Sequence, residues 1–377
     1  MFQSFFIAGF ECATGYNARG AWFDQIAATH HDTHADQDYA RLVEVGIHGA
    51  REAIRWPVVD RGQGRYDFAS VEPFVLAADR HGVEVIWDLF HYGYPVDLDP
   101  LSDGFIAAFA EYCHACATWI AQRTQGTCYF TPVNEPSFFA WAAGHAGRFA
   151  PHLTGKGWEM KVAMARAGIA GINAIRAACP AARIVNVDPL CRVVAPRDRP
   201  DLAEAVAHFN DRAVFESWDM LAGTMMPELG GSRRHLDIVG MNYYWTNQWE
   251  LTRDECPLAE DDPRRAPLRD LIRAVHVRYG GELMITETAH VDDMRPAWML
   301  RVAEECEALL AEGVPLRAAC LYPILGMPEW HEPERWTRMG LWDVADERAS
   351  KCRIVHQPML DALRQAQRLD SHAARSR

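Results

Sequence analysis

The chain predicts a single (β/α)8 barrel, an α/β fold closed from eight parallel strands. Three observations carry that reading. Eight short apolar runs, rich in β-branched residues, are spaced along the 377 residues. A segment with the 3.6-residue apolar period follows each of them. Glycines stand where helices should stop, at Gly46, Gly82, Gly280 and Gly313, each just ahead of a strand. A doubly wound open sheet is the competing architecture, but eight units and the lack of a GxGxxG turn disfavour it.

The strands are expected at 5–10, 47–55, 83–90, 127–134, 183–188, 236–244, 282–287 and 317–323. The helices are expected at 35–45, 68–80, 103–122, 157–178, 201–222, 265–279, 295–312 and 355–368. One barrel domain should cover 1–369, with 370–377, "DSHAARSR", as a disordered C-terminal tail. The least ordered internal stretch is 246–267, "TNQWELTRDECPLAEDDPRRAP", charged and broken by proline. Following strand six, it would lie over the active face of a barrel.

A net charge of −13 argues against a nucleic-acid surface, which needs a basic face. No apolar run reaches the ~20 residues of a membrane span. The N-terminus, "MFQSFFIAGFECATG", has no basic leader and reads as the first strand, so a cytoplasmic protein is expected. Most of the 10 cysteines sit in apolar stretches, as small hydrophobes would. Cys113 and Cys116 form a CxxC around His114, but no second pair exists and the segment reads as a helix. His30, His31 and His34 in "THHDTH" lack a companion Cys or carboxylate motif, so they read as a loop before a helix capped by Asp32 or Asp36. No metal and no organic cofactor is implied.

The chemistry lies at the strand ends. Barrel enzymes place catalytic groups at the C-terminal ends of their strands. Glu135, in "TPVNEPSFFAW", and Glu287, in "LMITETAH", each end a buried-type strand, where core packing gives no reason for a carboxylate. Paired carboxylates are what glycoside hydrolysis needs, one to protonate the leaving oxygen and one to attack or to activate water. Other polar strand ends carry Arg51 and Arg55, His91 and Tyr92, Asn134, Asn242 and Tyr244, and Tyr322, Glu329 and Trp330. This inventory suits a sugar: planar polar groups for hydroxyls and aromatic faces for C–H surfaces. Taken singly, Arg51 and Arg55 could be ion-pair partners, His91 a satisfied core histidine, and Trp141, Tyr322 and Trp330 simple packing.

In order along the chain, these motifs resemble family 1 glycoside hydrolases of the β-glucosidase and β-galactosidase type. "NEP" resembles the acid/base motif, which implies Glu135 as acid/base and Asn134 as a ligand of the sugar 2-hydroxyl. "ITET" resembles the nucleophile motif and implies Glu287. "DIVGMNYY" resembles the strand-six motif, implying that Tyr244 bonds the nucleophile. Arg51 in "REAIRW" matches the arginine beside it, and His91 the glycone-binding histidine. "YPILGMPEW" matches the closing motif, so Glu329 and Trp330 would bind glycone hydroxyls and ring. Departures are Tyr322 for the usual tryptophan, Thr288-Ala289 for Asn-Gly, and Glu11 where a glycone-holding glutamine would be sought. The resemblance implies a retaining β-glycosidase acting on a small glycoside or oligosaccharide by double displacement. A transglycosidase using the same intermediate, and a non-catalytic carbohydrate-binding barrel, are the alternatives. Arg335 and Arg338 lie among Glu329, Glu332 and Glu334, which favours unphosphorylated sugars.

Overall fold

The structure, a computed structural model, describes residues 2–345 and 351–375. Eight strands close a barrel: β1 (Phe6–Gly9), β2 (Gly49–Ala53), β3 (Glu84–Asp88), β4 (Tyr129–Thr131), β5 (Arg183–Pro189), β6 (Ile238–Asn242), β7 (Glu282–Thr288) and β8 (Leu316–Leu321). Every neighbouring pair is parallel, and β1 closes the ring between β2 and β8. The strands are buried along almost their whole length, β2 and β6 at every residue. Burial on both faces is why they read as continuous apolar runs rather than alternating ones.

The helices between them are α1 (His31–Glu44), α2 (Glu72–His81), α3 (Asp103–Ala121), α4 (Gly157–Ala178), α5 (Ala203–Asp211), α6 (Glu216–Ala222), α7 (Leu268–Tyr279), α8 (Arg295–Ala311) and α9 (Gln357–Arg375). All eight expected strands are present. The helix expected over 201–222 is split. Arg212, at φ −134° and ψ −62°, breaks it. The break lets Phe215 and Trp218 enter the core, while no residue of α5 is buried. Cys113 and Cys116 lie buried in α3, where a Cβ on Gly171 of α4 would sit 3.0 Å from the Cys113 sulfur. The thiols act as packing groups at a close helix contact.

Three expectations need correction. The stretch 246–267 is not irregular: Gln248–Glu250 and Arg253–Pro257 pair and join Arg192–Val194 in a small sheet. Neither Asp32 nor Asp36 caps α1; the capping position is His30, in the left-handed region at φ 55°, and α1 starts at His31. The backbone of 370–375 continues α9, while 376–377 lie outside the described residues. That segment contains Ala373, Ala374 and Arg375 and no glycine or proline, so extending the helix costs little.

His31 is a buried tie. Its Nδ1 is 2.9 Å from Asp38 and its Nε2 2.7 Å from Glu52 on β2, with the ring stacked on Phe10. Arg353 closes the same cluster through Asp38. Burial works against a charge on His31, but Glu52 and Asp38 outweigh it and raise its pKa to about 9. Asp38, despite its burial, is lowered to about 2 by His31 and Arg353. The stabilisation from His31 is therefore complete below its unfolded value of about 6.5 and fades as pH rises to about 9. The stabilisation from Asp38 is lost only as pH falls from 3.8 to about 2. Urea unfolding of wild type and His31→Gln should differ by on the order of 2 kcal/mol near pH 6, and the gap should shrink by pH 9. A gap independent of pH would mean that the imidazole contributes only packing.

Candidate active site

Glu287 is the penultimate residue of β7, and its aim depends on an irregularity. The register against β6 shifts between Ile285 and Glu287. The bulge turns Thr286 so that its hydroxyl donates to Asn242 Oδ1 at 2.7 Å, and bulges beside active sites commonly re-aim a side chain in this way. Glu287 Oε1 accepts from Arg51 Nη1 at 2.9 Å and Oε2 from the Tyr244 hydroxyl at 2.7 Å. Both carboxylate oxygens are thus held.

Arg51, on β2 and wholly inaccessible, spans the barrel interior. Besides Glu287 it donates to Thr286 O at 2.9 Å, to Asp88 on β3 through Nε and Nη2, and to Asn134 Oδ1 at 3.1 Å. Its charge sits 5.0 Å above the centre of the Tyr322 ring. That ring fits because residue 9 is glycine: a Cβ there would lie 1.9 Å from Tyr322 Cδ2.

Asn134 and Glu135 follow β4. Glu135 adopts the left-handed region at φ 48° and ψ 62°, with its amide on Val187 O, and Pro136 opens the next helical turn. Non-glycine residues held in that region concentrate at functional sites. Because Arg51 donates to Asn134 Oδ1, the amide nitrogen faces His91 Nε2 at 3.1 Å and the Tyr92 hydroxyl at 3.2 Å. This orientation assigns the His91 proton to Nδ1, 3.0 Å from Asp88 Oδ2. Tyr92 in turn donates to Glu135 Oε2 at 2.6 Å.

Glu135 and Glu287 are 9 % and 4 % exposed, so neither carboxylate is well hydrated. Burial first, then the charge of Glu287, raises Glu135 to about 8. Glu11 also faces this space. Its Oε1 accepts from the Ala13 amide and the Tyr322 hydroxyl and lies 3.7 Å from His91 Nε2, and burial raises it to about 7. The structure therefore gathers Arg51, His91, Asn134, Glu135, Asn242, Tyr244, Glu287 and Tyr322 into one polar cluster at the C-terminal mouth of the barrel.

No family model and no curated protein matches this sequence. Solved structures do match it. A β-glucosidase from Thermotoga maritima in complex with castanospermine superposes with a TM-score of 0.75 at 17% identity, over 97% of this chain and 98% of that one. The same enzyme with deoxynojirimycin gives 0.76 at 16% identity, over 98% and 99%. A structure described as a family 1 β-glucosidase from that organism gives 0.74 at 17% identity, over 96% and 95%. The fold is that of these β-glucosidases.

In this β-glucosidase-like barrel, Trp330 and Glu329 stand apart from the polar cluster. Trp330 packs on Tyr92, Phe138 and Phe149, and its Nε1 is a buried donor with no hydrogen-bond partner among the described residues. Glu329 is half-buried next to it, its amide bonded to Arg335 O. Loop contacts fix this wall: Asn17 donates to Trp330 O and Gln25 to Pro328 O. Trp141 is half-buried under Arg148. Arg55 belongs elsewhere, paired with Asp24 at 2.8 Å. Cys12, Asp88 and His91 bring ligand-type atoms within 4.8 Å of one another. Arg51 already occupies Asp88, so a cation there would displace a guanidinium, and the donor set does not fit a metal.

Sequence reading did not assign roles to Asp88, Thr286 or Tyr92. Asp88 had a signal: a carboxylate three residues before His91 in an apolar strand. Tyr92 stood among the polar strand ends without a role of its own, and Thr286 had no signal, since a bulge places it. Replacing Asp88 with Asn leaves Arg51 with half its inner counter-charge, and breaking a buried pair costs about 3–5 kcal/mol. Urea denaturation should register that loss. A drop under about 1 kcal/mol would mean that Glu287 and Asn134 suffice to hold Arg51.

Proposed function

We propose that this protein is a retaining β-glycosidase acting on a small β-linked glycoside or oligosaccharide. The observation that carries the reading is the unequal environment of the two carboxyls. Glu135 is pushed to about 8 by burial and by Glu287, and so keeps its proton near neutral pH. Glu287 has a guanidinium on one oxygen and a phenol on the other. One carboxyl kept protonated by burial, beside a second held by a guanidinium and a phenol, is the arrangement that assigns an acid and a nucleophile.

In the first step Glu287 attacks the anomeric carbon while Glu135 gives its proton to the departing oxygen. The C1–O bond to the aglycone breaks as the bond from C1 to the Glu287 oxygen forms. In the second step water attacks C1, Glu135 takes its proton, and Glu287 is released as carboxylate. Asn134, Asn242 and His91 would face the glycone hydroxyls and Glu11 would hold another. The unpaired Trp330 Nε1 supports a further hydroxyl contact on the strand-eight side, next to Glu329. Arg335 lies 4.0 Å from Glu332 on that loop, beside acidic neighbours, which favours an unphosphorylated sugar. The β-glucosidases of similar fold were solved with small inhibitors such as castanospermine and deoxynojirimycin, which supports a small glycoside as substrate.

Incubation with 2-deoxy-2-fluoro-β-glucosyl or galactosyl fluoride should add one glycosyl mass to the peptide containing Glu287. Absence of any adduct, alongside turnover of a β-glycoside, would overturn retention. Glu287→Ala should lower turnover by about 10³-fold or more. The rate kcat/KM should fall on the alkaline side as Glu135 loses its proton near pH 8, and Glu135→Gln should abolish that limb.

A further inference from the structure

We propose that Tyr92 is a positioning residue for the general acid, and that its hydroxyl dictates which oxygen of Glu135 carries the transferred proton. The inference rests on the glycosidase reading above and adds a residue that the reading does not require. Tyr92 has φ 134°, a backbone conformation that L residues rarely adopt. The surrounding contacts enforce it. The amide of Thr14 bonds His91 O at 3.0 Å, that of Asn134 bonds Phe90 O at 2.9 Å, and a Cβ on Gly93 would sit 2.5 Å from Thr14 Oγ1. The ring is stacked on Phe139 at 5.8 Å and boxed by Phe138, Phe149 and Trp330. A rotamer held from all sides leaves the hydroxyl one destination.

That hydroxyl accepts a hydrogen bond from Asn134 Nδ2 and donates one to Glu135 Oε2. In a neutral carboxyl the carbonyl oxygen is the better acceptor, so the phenol bond favours the carbonyl at Oε2. The acid proton therefore resides on Oε1, and it is Oε1 that delivers it to the glycosidic oxygen and recovers it from water. The bond persists in both halves of the cycle, since Oε2 accepts from Tyr92 whether Glu135 is neutral or ionised. It is stronger to the carboxylate, as hydrogen bonds to ionised groups are. Other ionisable groups facing Glu135 are Glu287, His91, Tyr244 and Cys191, from four different strand ends. None of them donates a hydrogen bond to Oε2. Asn242 also hydrogen-bonds Glu135 and is untouched by Phe at residue 92, which keeps the ring and removes the phenol's bond to Glu135 together with the one it accepts from Asn134.

The test is Tyr92→Phe, read in two ways. Carbon-13 titration of δ-labelled glutamate, with the Glu135 signal identified by its loss in Glu135→Gln, should show Glu135 titrating about one unit higher in the variant. The alkaline limb of kcat/KM should move up with it. For an alkyl glycoside, which needs the proton, kcat/KM should fall about tenfold, while for a 2,4-dinitrophenyl glycoside it should hold. An unmoved titration, or equal losses on both substrates, would overturn the proposal and leave Tyr92 a packing residue. If wild type turned over no glycoside, the glycosidase reading and the catalytic role would fail together, while the titration would still decide whether Tyr92 governs Glu135.

Discussion

The buried guanidinium of Arg51 is the interaction on which this barrel mouth depends. It joins β2 to β3 through Asp88, to β7 through Glu287 and Thr286, and to Asn134 beyond β4. A charge with no access to water must be met on every side, and here each partner is a residue whose orientation matters to the site. Arg51 turns Asn134 so that its amide faces His91 and Tyr92, and it pins one oxygen of Glu287. Removing the cation would leave Asp88 and Glu287 close together with no counter-charge.

The two glutamates differ because their partners differ. Glu135 receives hydrogen bonds from the Tyr92 phenol and from Asn242 but no guanidinium. Its burial and the charge of Glu287 both favour the proton. Glu287 sits at a bulge where an arginine and a tyrosine converge. Local backbone geometry supports the split: a left-handed residue at Glu135, a register shift before Glu287, and a positive φ at Tyr92. These irregular positions cluster at one end of an otherwise regular barrel, where backbone strain has a use.

The wall across from the carboxylates is built from loops. Asn17 and Gln25, after β1, hold the carbonyls of Trp330 and Pro328, so the first and last loops of the chain set the wall jointly. The apolar body of that wall is Phe23, Phe138, Phe149 and Trp330.

Much of this was legible in the amino-acid sequence. All eight strands were, because parallel strands buried on both faces leave continuous apolar runs, and so were the glutamates, because a carboxylate ending such a run has no packing reason to be there. Arg51, Asn134, His91 and Tyr244 could be selected by the same logic of polar residues at strand ends. The break at Arg212 was not legible, since α5 and α6 answer to different neighbours, nor was the small sheet at 248–257, whose third strand comes from 192–194. The cluster around His31 was hidden too: Glu52, which bonds it, and Arg353, which joins through Asp38, are far from it in sequence. Which oxygen of Glu135 meets Tyr92, how Thr286 turns Glu287, and how burial raises one carboxyl are decided by tertiary structure alone. They depend on distances between side chains on different strands, and the order of residues along a chain does not encode those distances locally.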